Sequence, residues 1–336
     1  MDVFVVGGGP AGLAAAIAAR REGMSVVVAD GERPPVDKPC GEGLMPDSRF
    51  AAASLGLQLS DSVGYPFRGI RFQTAHHSVE ADFARGCGIG VRRTLLHLAL
   101  IRAADEAGVK MRWGSPVSLS ESIRARWIVG ADGASSLVRR WAGLDAVHTT
   151  SRRFARRQHF AIAPWSDYVE IHWAEGCQAY VTPVAANEIC VALISRSQEA
   201  RLEDGLRHFP ALAARLRRGS ETSRERGSIT GTVRLRSVAR GNVALIGDAS
   251  GSVDAIAGEG ICLSFRQAEH LAKSLVKGDL SLYNREHPRL SRRARLMANV
   301  MLQLDRGELA RECAMRLFSA QPAIFRRLLE AHTQPV

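Results

Sequence analysis

Three glycines near the start of the chain have the spacing of a phosphate-binding loop. Gly7, Gly9 and Gly12 form the pattern GxGxxG, which includes Pro10 and Ala11 and follows a short apolar segment. The first glycine permits a tight turn, the second lets the backbone approach a pyrophosphate, and the third lets a helix pack closely on a strand. Free N–H groups at the start of the following helix would then bind the phosphate oxygens.

An acidic residue follows at the distance that a dinucleotide site requires. Asp30, followed by Gly31, ends the second apolar segment. Lying about 20 residues after the loop, its carboxylate would accept hydrogen bonds from ribose hydroxyls. The loop, the helix and this acid together predict a dinucleotide site, but they do not distinguish FAD from NAD.

Two aspartate–glycine pairs come later, each directly after a short apolar segment. Asp132 and Gly133 lie in WIVGADGASSLVRR, and Gly247 and Asp248 lie in NVALIGDASG. An aspartate just past a strand end would lie beside a bound dinucleotide. Asp248 is placed to accept a hydrogen bond from the ribityl chain of a flavin.

A glycine-rich segment precedes a predicted helix at residues 262–276. It contains Gly258, Gly260 and Ile261, whose backbone N–H groups would approach a flavin ring. The helix N-terminus would stabilise negative charge on the reduced ring.

With these motifs the chain resembles the flavoprotein superfamily of aromatic hydroxylases, geranylgeranyl reductases and flavin-dependent halogenases. GGGPAG, the Asp132 motif and the Gly247 motif occur in the family's order and spacing, within residues 1–280. The resemblance implies that the protein binds FAD and that Arg93, within VRRTLLHLAL, contacts this cofactor. It also implies NADPH or NADH as the electron donor.

Two reactions fit this resemblance. In a monooxygenase, NAD(P)H reduces FAD, dioxygen adds at flavin C4a, and the terminal oxygen passes to an electron-rich substrate. In a reductase, flavin N5 delivers hydride to an alkene, and a protein acid supplies the proton.

Short segments of the chain resemble different branches of the superfamily. KPCGEG and GEGI resemble geranylgeranyl reductases, whose segment is of the KPCGG type, whereas CGEGLMP and GDASGSVDAIAGEG resemble small bacterial flavoproteins usually described as monooxygenases. We expect an NAD(P)H-dependent monooxygenase of a small apolar or aromatic metabolite. Reduction of isoprenoid double bonds is the alternative, and a flavin-binding protein without turnover is a second alternative.

Cys40 is the candidate for a catalytic side chain. In the geranylgeranyl reductase branch, a cysteine at this position lies near the flavin. Cys40 therefore either donates a proton there or fills a tight loop as a small apolar residue. Glu42 and Glu259, each between two glycines, are either acids near the ring or helix caps, and we expect the caps. Lys38 either pairs with a phosphate or substrate or is a solvated charge, and we expect His172 to be structural.

Composition limits the other functions of the chain. The six cysteines form no CxxC pair and the ten histidines no HxH or HExxH pattern, so we expect no metal site. The net charge is +11, but the arginines are scattered and lack the context of a nucleic-acid module. We therefore expect a small-molecule substrate and no nucleic-acid partner. The sequence does not predict an oligomeric state.

The same features bear on localisation. No apolar segment reaches the roughly 18 residues of a membrane span, and we identify no signal peptide. These features and the unpaired cysteines predict a cytoplasmic protein without an integral membrane segment. Basic helices near the C-terminus would permit peripheral contact with an anionic membrane.

The elements that position these motifs predict an α/β fold. A strand, an alanine-rich helix and a second strand start a Rossmann-like FAD-binding domain, with an inserted β-sheet substrate domain and a C-terminal helical segment. We expect residues 1–65, 90–150 and 235–280 in the FAD-binding domain and residues 66–89 and 151–234 in the substrate domain. Residues 281–336 form the predicted helical segment.

Overall fold

A computed structural model of the protein describes residues 1–60, 63–119, 123–145, 147–149, 152–198 and 201–333. In chain order the strands are β1 (Val3–Val6), β2 (Val26–Asp30), β3 (Gly43–Leu44), β4 (Tyr65–Phe67), β5 (Gly69–Gln73), β6 (Ser78–Asp82), β7 (Gly88–Gly90), β8 (Lys110–Trp113), β9 (Trp127–Gly130), β10 (Val147–Thr149), β11 (Arg153–Ala161), β12 (Tyr168–Ala174), β13 (Cys177–Ala185), β14 (Glu188–Ser195), β15 (Ser220–Glu221), β16 (Arg226–Thr230), β17 (Val233–Leu235), β18 (Ala239–Arg240) and β19 (Val243–Leu245).

The α-helices are α1 (Pro10–Arg21), α2 (Pro46–Ser54), α3 (Arg93–Glu106), α4 (Leu137–Trp141), α5 (Leu202–Leu206), α6 (Pro210–Leu216), α7 (Gly260–Lys277), α8 (Leu280–Leu290), α9 (Arg292–Arg306), α10 (Glu308–Ala320) and α11 (Pro322–Thr333). Short 3-10 helices span Gly247–Ser250 and Ala255–Ala257.

A six-stranded sheet carries the N-terminal βαβ unit. Its order is β18-β19-β9-β1-β2-β8, and every pair is parallel except β18 with β19. Strands β1 and β9 are buried along their whole length, which is typical of a parallel sheet covered on both faces. The alanine-rich helix α1 packs against α3 and α7 on one face.

A larger sheet has the order β15-β11-β14-β13-β12-β5-β6, with β16 also paired to β11. Its inner face, as we call it, carries Phe72, Ile171, Trp173, Tyr180 and Ile194, which form one apolar cluster with residues of α9, α10 and α11. The opposite, outer face packs beneath α5 and α6. His172 lies on the outer face against Phe209 and Glu170, and its structural role stays a prediction.

Helices α9 to α11 cover part of the inner face. Phe325 of α11 stacks on Phe72 of β5 with ring centroids 4.9 Å apart. Asp305 of α9 accepts a hydrogen bond from Gln178 of β13. It also accepts one from Arg196, whose Nη2 lies 2.8 Å from Asp305 Oδ2. The C-terminal helices are therefore joined to the second sheet by both apolar and charged contacts.

The predicted fold class is confirmed: the chain is α/β, with a Rossmann-like parallel sheet, further sheets and C-terminal helices. In the part of the chain that the structure describes, no helix combines the length and the apolar character that crossing a membrane requires.

Candidate functional site

The three glycine-containing motifs lie together because they follow neighbouring strands. β1, β9 and β19 are adjacent and parallel, so the segments after them meet at one edge of the sheet. A Cβ on Gly7 would lie 2.4 Å from the Ala131 carbonyl oxygen, and a Cβ on Gly247 would lie 2.6 Å from Ala11 Cβ. This edge is where parallel sheets bind ligands.

The first helix begins with free backbone donors. Gly9 is the N-cap of α1, Pro10 is its first residue, and no side chain caps the helix. No atom would lie within 4 Å of a Cβ on Gly9, whereas a Cβ on Gly12 would lie 1.9 Å from the Gly7 carbonyl oxygen. Gly12 thus serves close packing, and Gly9 leaves open space beside uncapped N–H groups, which fits a pyrophosphate.

Asp30 braces the glycine loop from the end of β2. Its Oδ2 accepts the Gly8 N–H at 2.6 Å, and its Oδ1 accepts the Glu32 N–H at 2.8 Å. Each oxygen retains a second lone pair, so the contact with a ribose stays a prediction. The neighbouring Gly31 is exposed.

Asp132 caps a helix. Its carboxylate accepts the Ser136 hydroxyl at 2.5 Å and the N–H groups of Leu137 and Val138 at 2.6 and 3.1 Å. A Cβ on Gly133 would meet no atom within 4 Å. Asp132 therefore shapes the loop that borders the open space, and a direct contact with a cofactor stays a prediction.

Asp248 lies in a loop after β19 that two hydrogen bonds hold in place. The Gly247 N–H donates to Gln267 Oε1 at 2.9 Å, and Ser250 Oγ donates to the Gly247 carbonyl at 2.7 Å. Although solvent still reaches Asp248, desolvation by the surrounding protein raises the pKa of its carboxyl, and nearby Lys38 opposes this shift.

Burial of His287 makes the free energy of unfolding of the protein depend on pH. Because Gln267 Oε1 is occupied by Gly247, the Gln267 amide donates to His287 Nε2, at 3.0 Å. Burial lowers the pKa of His287 from 6.5 to about 4. Between these two pH values the unfolded chain binds a proton at His287 that the folded protein does not bind. The free energy of unfolding therefore falls as the pH falls.

We expect the free energy of unfolding to fall by up to roughly 3 kcal/mol between about pH 7 and pH 4 on account of His287. Urea unfolding across this range would measure the fall. A His287→Gln variant provides the comparison, because its stability should depend less steeply on pH. Equal slopes for the two proteins would contradict the prediction.

The segment Gly258 to Ile261, which we call the ring-binding loop after its predicted role, leads into α7 without a side-chain cap. Gly258 has φ +69°, α7 begins at Gly260, and no side chain caps this helix although Glu259 is its N-cap residue. Cβ atoms on Gly258 and Gly260 would meet nothing within 4 Å. Glu259 instead turns toward α11, where its Oε1 lies 2.7 Å from His332 Nδ1. The cap that we favoured for Glu259 is therefore absent.

Cys40 is half-buried in the loop that precedes β3. Its Sγ accepts the Glu42 N–H at 3.4 Å. Burial, followed by the Glu42 carboxylate, raises the pKa of the thiol, which therefore stays protonated at neutral pH. Cys40 is suited to holding a proton and is a poor nucleophile, and its catalytic role stays a prediction.

Arg93 is the first residue of α3 and is buried. Its Nη1 has no hydrogen-bond partner among the described residues, and burial lowers the pKa of its guanidinium. Buried donors are nearly always paired, so this nitrogen fits a bound group that supplies an acceptor. Glu42 Oε1 accepts the Arg93 backbone N–H at 2.8 Å, so Glu42 does cap a helix.

Sequence reasoning missed two inner-face residues beside the loop that carries Cys40. Arg157 and His159 of β11 are buried against Asp37 and Glu42. The available signal was weak: in RFARRQHFA, Arg157 and His159 are two residues apart and therefore lie on the same face of a strand.

The chain is similar in sequence to several known oxidoreductases. The family described as pyridine nucleotide-disulphide oxidoreductase matches residues 1–161. The menaquinone reductase of Mycobacterium tuberculosis is 29% identical over 324 residues, which cover 83% of this chain and 78% of that protein. The 3-demethoxyubiquinol 3-hydroxylase of Escherichia coli is 27% identical, over 82% of this chain and 79% of its own length.

The crystal structure of p-nitrophenol 4-monooxygenase PnpA from Pseudomonas putida has the same fold. It superposes with a TM-score of 0.82 at 18% identity, over 100% of this chain and 99% of that chain. The open glycine edges, the uncapped starts of α1 and α7 and the unpaired Arg93 Nη1 all fit FAD. The chain is similar to members of the superfamily of FAD-dependent oxidoreductases that contains the aromatic hydroxylases and the geranylgeranyl reductases.

Proposed function

We propose that the protein is an NAD(P)H-dependent FAD monooxygenase that hydroxylates a small apolar or aromatic metabolite. The observation that carries the proposal is a buried apolar cluster beside the ring-binding loop. Ile256 and Ala257, which lead into Gly258, belong to one buried cluster with Met45 and the inner face of the larger sheet. Tyr180 Oη donates to the Ile256 carbonyl at 3.1 Å, so the sheet and the loop are in direct contact.

The roles of the chain in this reaction follow from that arrangement. Bound FAD supplies the redox chemistry. The start of α1 at Gly9 binds its phosphates, Arg93 donates a hydrogen bond, and the start of α7 at Gly260 stabilises negative charge. The apolar inner face orients an apolar substrate and excludes water, which strengthens these electrostatic effects.

NADH or NADPH is the proposed electron donor, in keeping with the pyridine-nucleotide family matched by residues 1–161. A cytoplasmic location is proposed with it. Leu296, Leu309 and Leu317 are exposed on α9 and α10 among several arginines. These residues support peripheral contact with an anionic membrane, which binding to anionic vesicles would test.

An FAD-dependent reductase of isoprenoid double bonds is the second candidate. It is favoured by the likeness to menaquinone reductase and by Cys40, whose thiol stays protonated in the loop that precedes β3. Such a reductase needs a protein acid, and a thiol with a raised pKa is suited to that role.

Isotope labelling would decide between the two reactions. FAD-loaded protein is reduced by NADH or NADPH and mixed with ¹⁸O₂ and either 4-nitrophenol or a short-chain menaquinone. Hydroxylation predicts one labelled oxygen in the product, and reduction predicts a saturated side chain without label. Failure of both nicotinamides to reduce the bound FAD would overturn the NAD(P)H-dependent proposal.

A Cys40→Ala variant adds an independent prediction. Because a monooxygenase needs no proton from this thiol, we expect its turnover to fall by less than about 100-fold, the low end for loss of an acid catalyst. A larger loss, with FAD affinity unchanged, would favour the reductase. Steady-state oxidation of NAD(P)H with product analysis measures the difference.

A further inference from the structure

The loop that carries Cys40 is fixed to the inner face of the larger sheet. This Cys40 loop, residues 37–42, has contacts at both ends. Asp37 pairs with the buried Arg157, and the Gly41 carbonyl accepts the Thr182 hydroxyl at 2.8 Å. At the far end, Glu42 and His159 are both buried, with Glu42 Oε2 2.7 Å from His159 Nε2.

Glu42 has an unusual backbone for its residue type. Its φ is +60°, the only positive value at a non-glycine position among the described residues. Such a conformation is disfavoured for a residue with a Cβ, and the KPCGG-type segment has glycine at this position. Conformations of this kind persist only where surrounding contacts determine them, and they concentrate at functional sites.

The contacts that hold Glu42 come from three parts of the chain. Its carbonyl accepts the Val91 N–H at 2.9 Å, and Oε1 accepts the Arg93 N–H at 2.8 Å. Its carboxylate also lies beside the Cys190 thiol of β14. Glu42 thus joins the Cys40 loop, the start of α3 and the inner face.

The protonation of His159 is defined by its neighbours. Arg157 Nη1 lies 3.1 Å from His159 Nδ1, and because a guanidinium can only donate, Nδ1 accepts. Ser223 Oγ lies 2.8 Å from the same nitrogen. The ring proton is therefore on Nε2, from which it is donated to Glu42 Oε2.

We propose that Glu42 and His159 are a pair of positioning residues that holds the Cys40 loop and the start of α3 in place for the flavin. Glu42 belongs to the Cys40 loop, and its carboxylate accepts hydrogen bonds from the Arg93 N–H and from His159 Nε2, so a change in the pair moves both predicted flavin contacts. The pair also joins two parts of the chain that are far apart in sequence, the Cys40 loop and the larger sheet.

A metal ion is the competing explanation. Glu42, His159 and Cys190 offer an oxygen, a nitrogen and a sulfur within 4.8 Å of one another. However, the 2.7 Å separation of Glu42 Oε2 and His159 Nε2 is that of a hydrogen bond. The Arg157 guanidinium on the other side of the ring would also repel a cation.

The test compares this pair with a matched pair on the outer face. Glu170 and His172 of β12 are also a glutamate–histidine pair, with Glu170 Oε2 3.2 Å from His172 Nε2. Variants Glu42→Gln and His159→Ala are measured against Glu170→Gln and His172→Ala. The measurements are the melting temperature, the alkylation rate of Cys40 by iodoacetamide followed by peptide mass spectrometry, and the midpoint potential of bound FAD.

We expect both inner-face variants to speed alkylation of Cys40 about tenfold, because losing one charge-assisted hydrogen bond favours local opening by that order. The midpoint potential of FAD should shift as well. The outer-face variants should leave both quantities unchanged even if they lower the melting temperature. This difference separates positioning from general stability.

Glu42→Gly provides a variant that folds without backbone strain. Its Cys40 should be alkylated as fast as that of Glu42→Gln, whereas its melting temperature should be closer to that of the wild-type protein. Wild-type alkylation rates and potentials in all three inner-face variants would overturn the proposal. So would one equivalent of metal in the purified protein that is lost in Glu42→Gln. None of these measurements requires turnover, so they stand apart from the test of the proposed reaction.

Discussion

Replacing Gly9 by alanine is expected to weaken FAD binding strongly while leaving the fold intact. Gly9 has φ −71° and ψ −178°, which alanine adopts without strain, and the added Cβ would meet no protein atom within 4 Å. The methyl group would instead occupy the space beside the first N–H groups of α1. A pyrophosphate bound there would have to move outward and lose its hydrogen bonds.

We expect the dissociation constant of FAD to rise by about 100-fold or more, a loss of ~2.7 kcal/mol or more. Titration of FAD fluorescence measures the affinity, and thermal unfolding of the apoprotein measures the fold. Gly12→Ala is the comparison, because its Cβ would lie 1.9 Å from the Gly7 carbonyl oxygen. That variant should lose both stability and FAD. Normal FAD affinity in Gly9→Ala would place the pyrophosphate elsewhere.

Much of the cofactor-binding sheet was predictable because its determinants are local. Fully buried runs such as Trp127–Gly130 and the spacing of Gly7, Gly9 and Gly12 depend on residues that are neighbours in sequence. Adjacent parallel strands then bring their motifs to one edge without further information. The start of α7 moved by two residues and its end by one, because Gly260 begins the helix instead of preceding it.

The polar network of the site was not predictable in the same way. Glu42 and His159 are 117 residues apart in sequence, so their pairing depends on the register of β11 in the larger sheet. Glu259 was expected to cap α7, but its carboxylate instead pairs with His332 of α11, at the other end of the chain. Such contacts are set by packing between elements, and one sequence does not specify that packing.

A buried ion pair supports the ring-binding loop from the larger sheet. Asp254 is about 1% exposed and pairs with Arg153 of β11, which also donates to Gln178 Oε1 at 2.8 Å. Asp254 Oδ1 also accepts the Ile256 N–H at 3.1 Å, which caps the 3-10 helix Ala255–Ala257. One carboxylate therefore stabilises the folded chain and defines the path that leads to Gly258.

Asp254→Ala is expected to cost about 3–5 kcal/mol of unfolding free energy, because it leaves the Arg153 guanidinium buried without this partner. Urea unfolding measures this loss. Glu286→Gln is the control: Glu286 pairs with the exposed Arg289 at 3.2 Å, and breaking a surface pair should cost less than about 1 kcal/mol.

The two consequences of Asp254→Ala are separable. Loss of the cap should loosen the ring-binding loop, so the variant should bind FAD more weakly even under conditions where it is fully folded. The phosphates would still be held at Gly9, so the loss of affinity should be smaller than in Gly9→Ala. If Asp254→Ala unfolds more easily but binds FAD unchanged, Asp254 supports only the fold. Full affinity would then mean that the path of the chain at Gly258 is determined by Tyr180 and α7 instead.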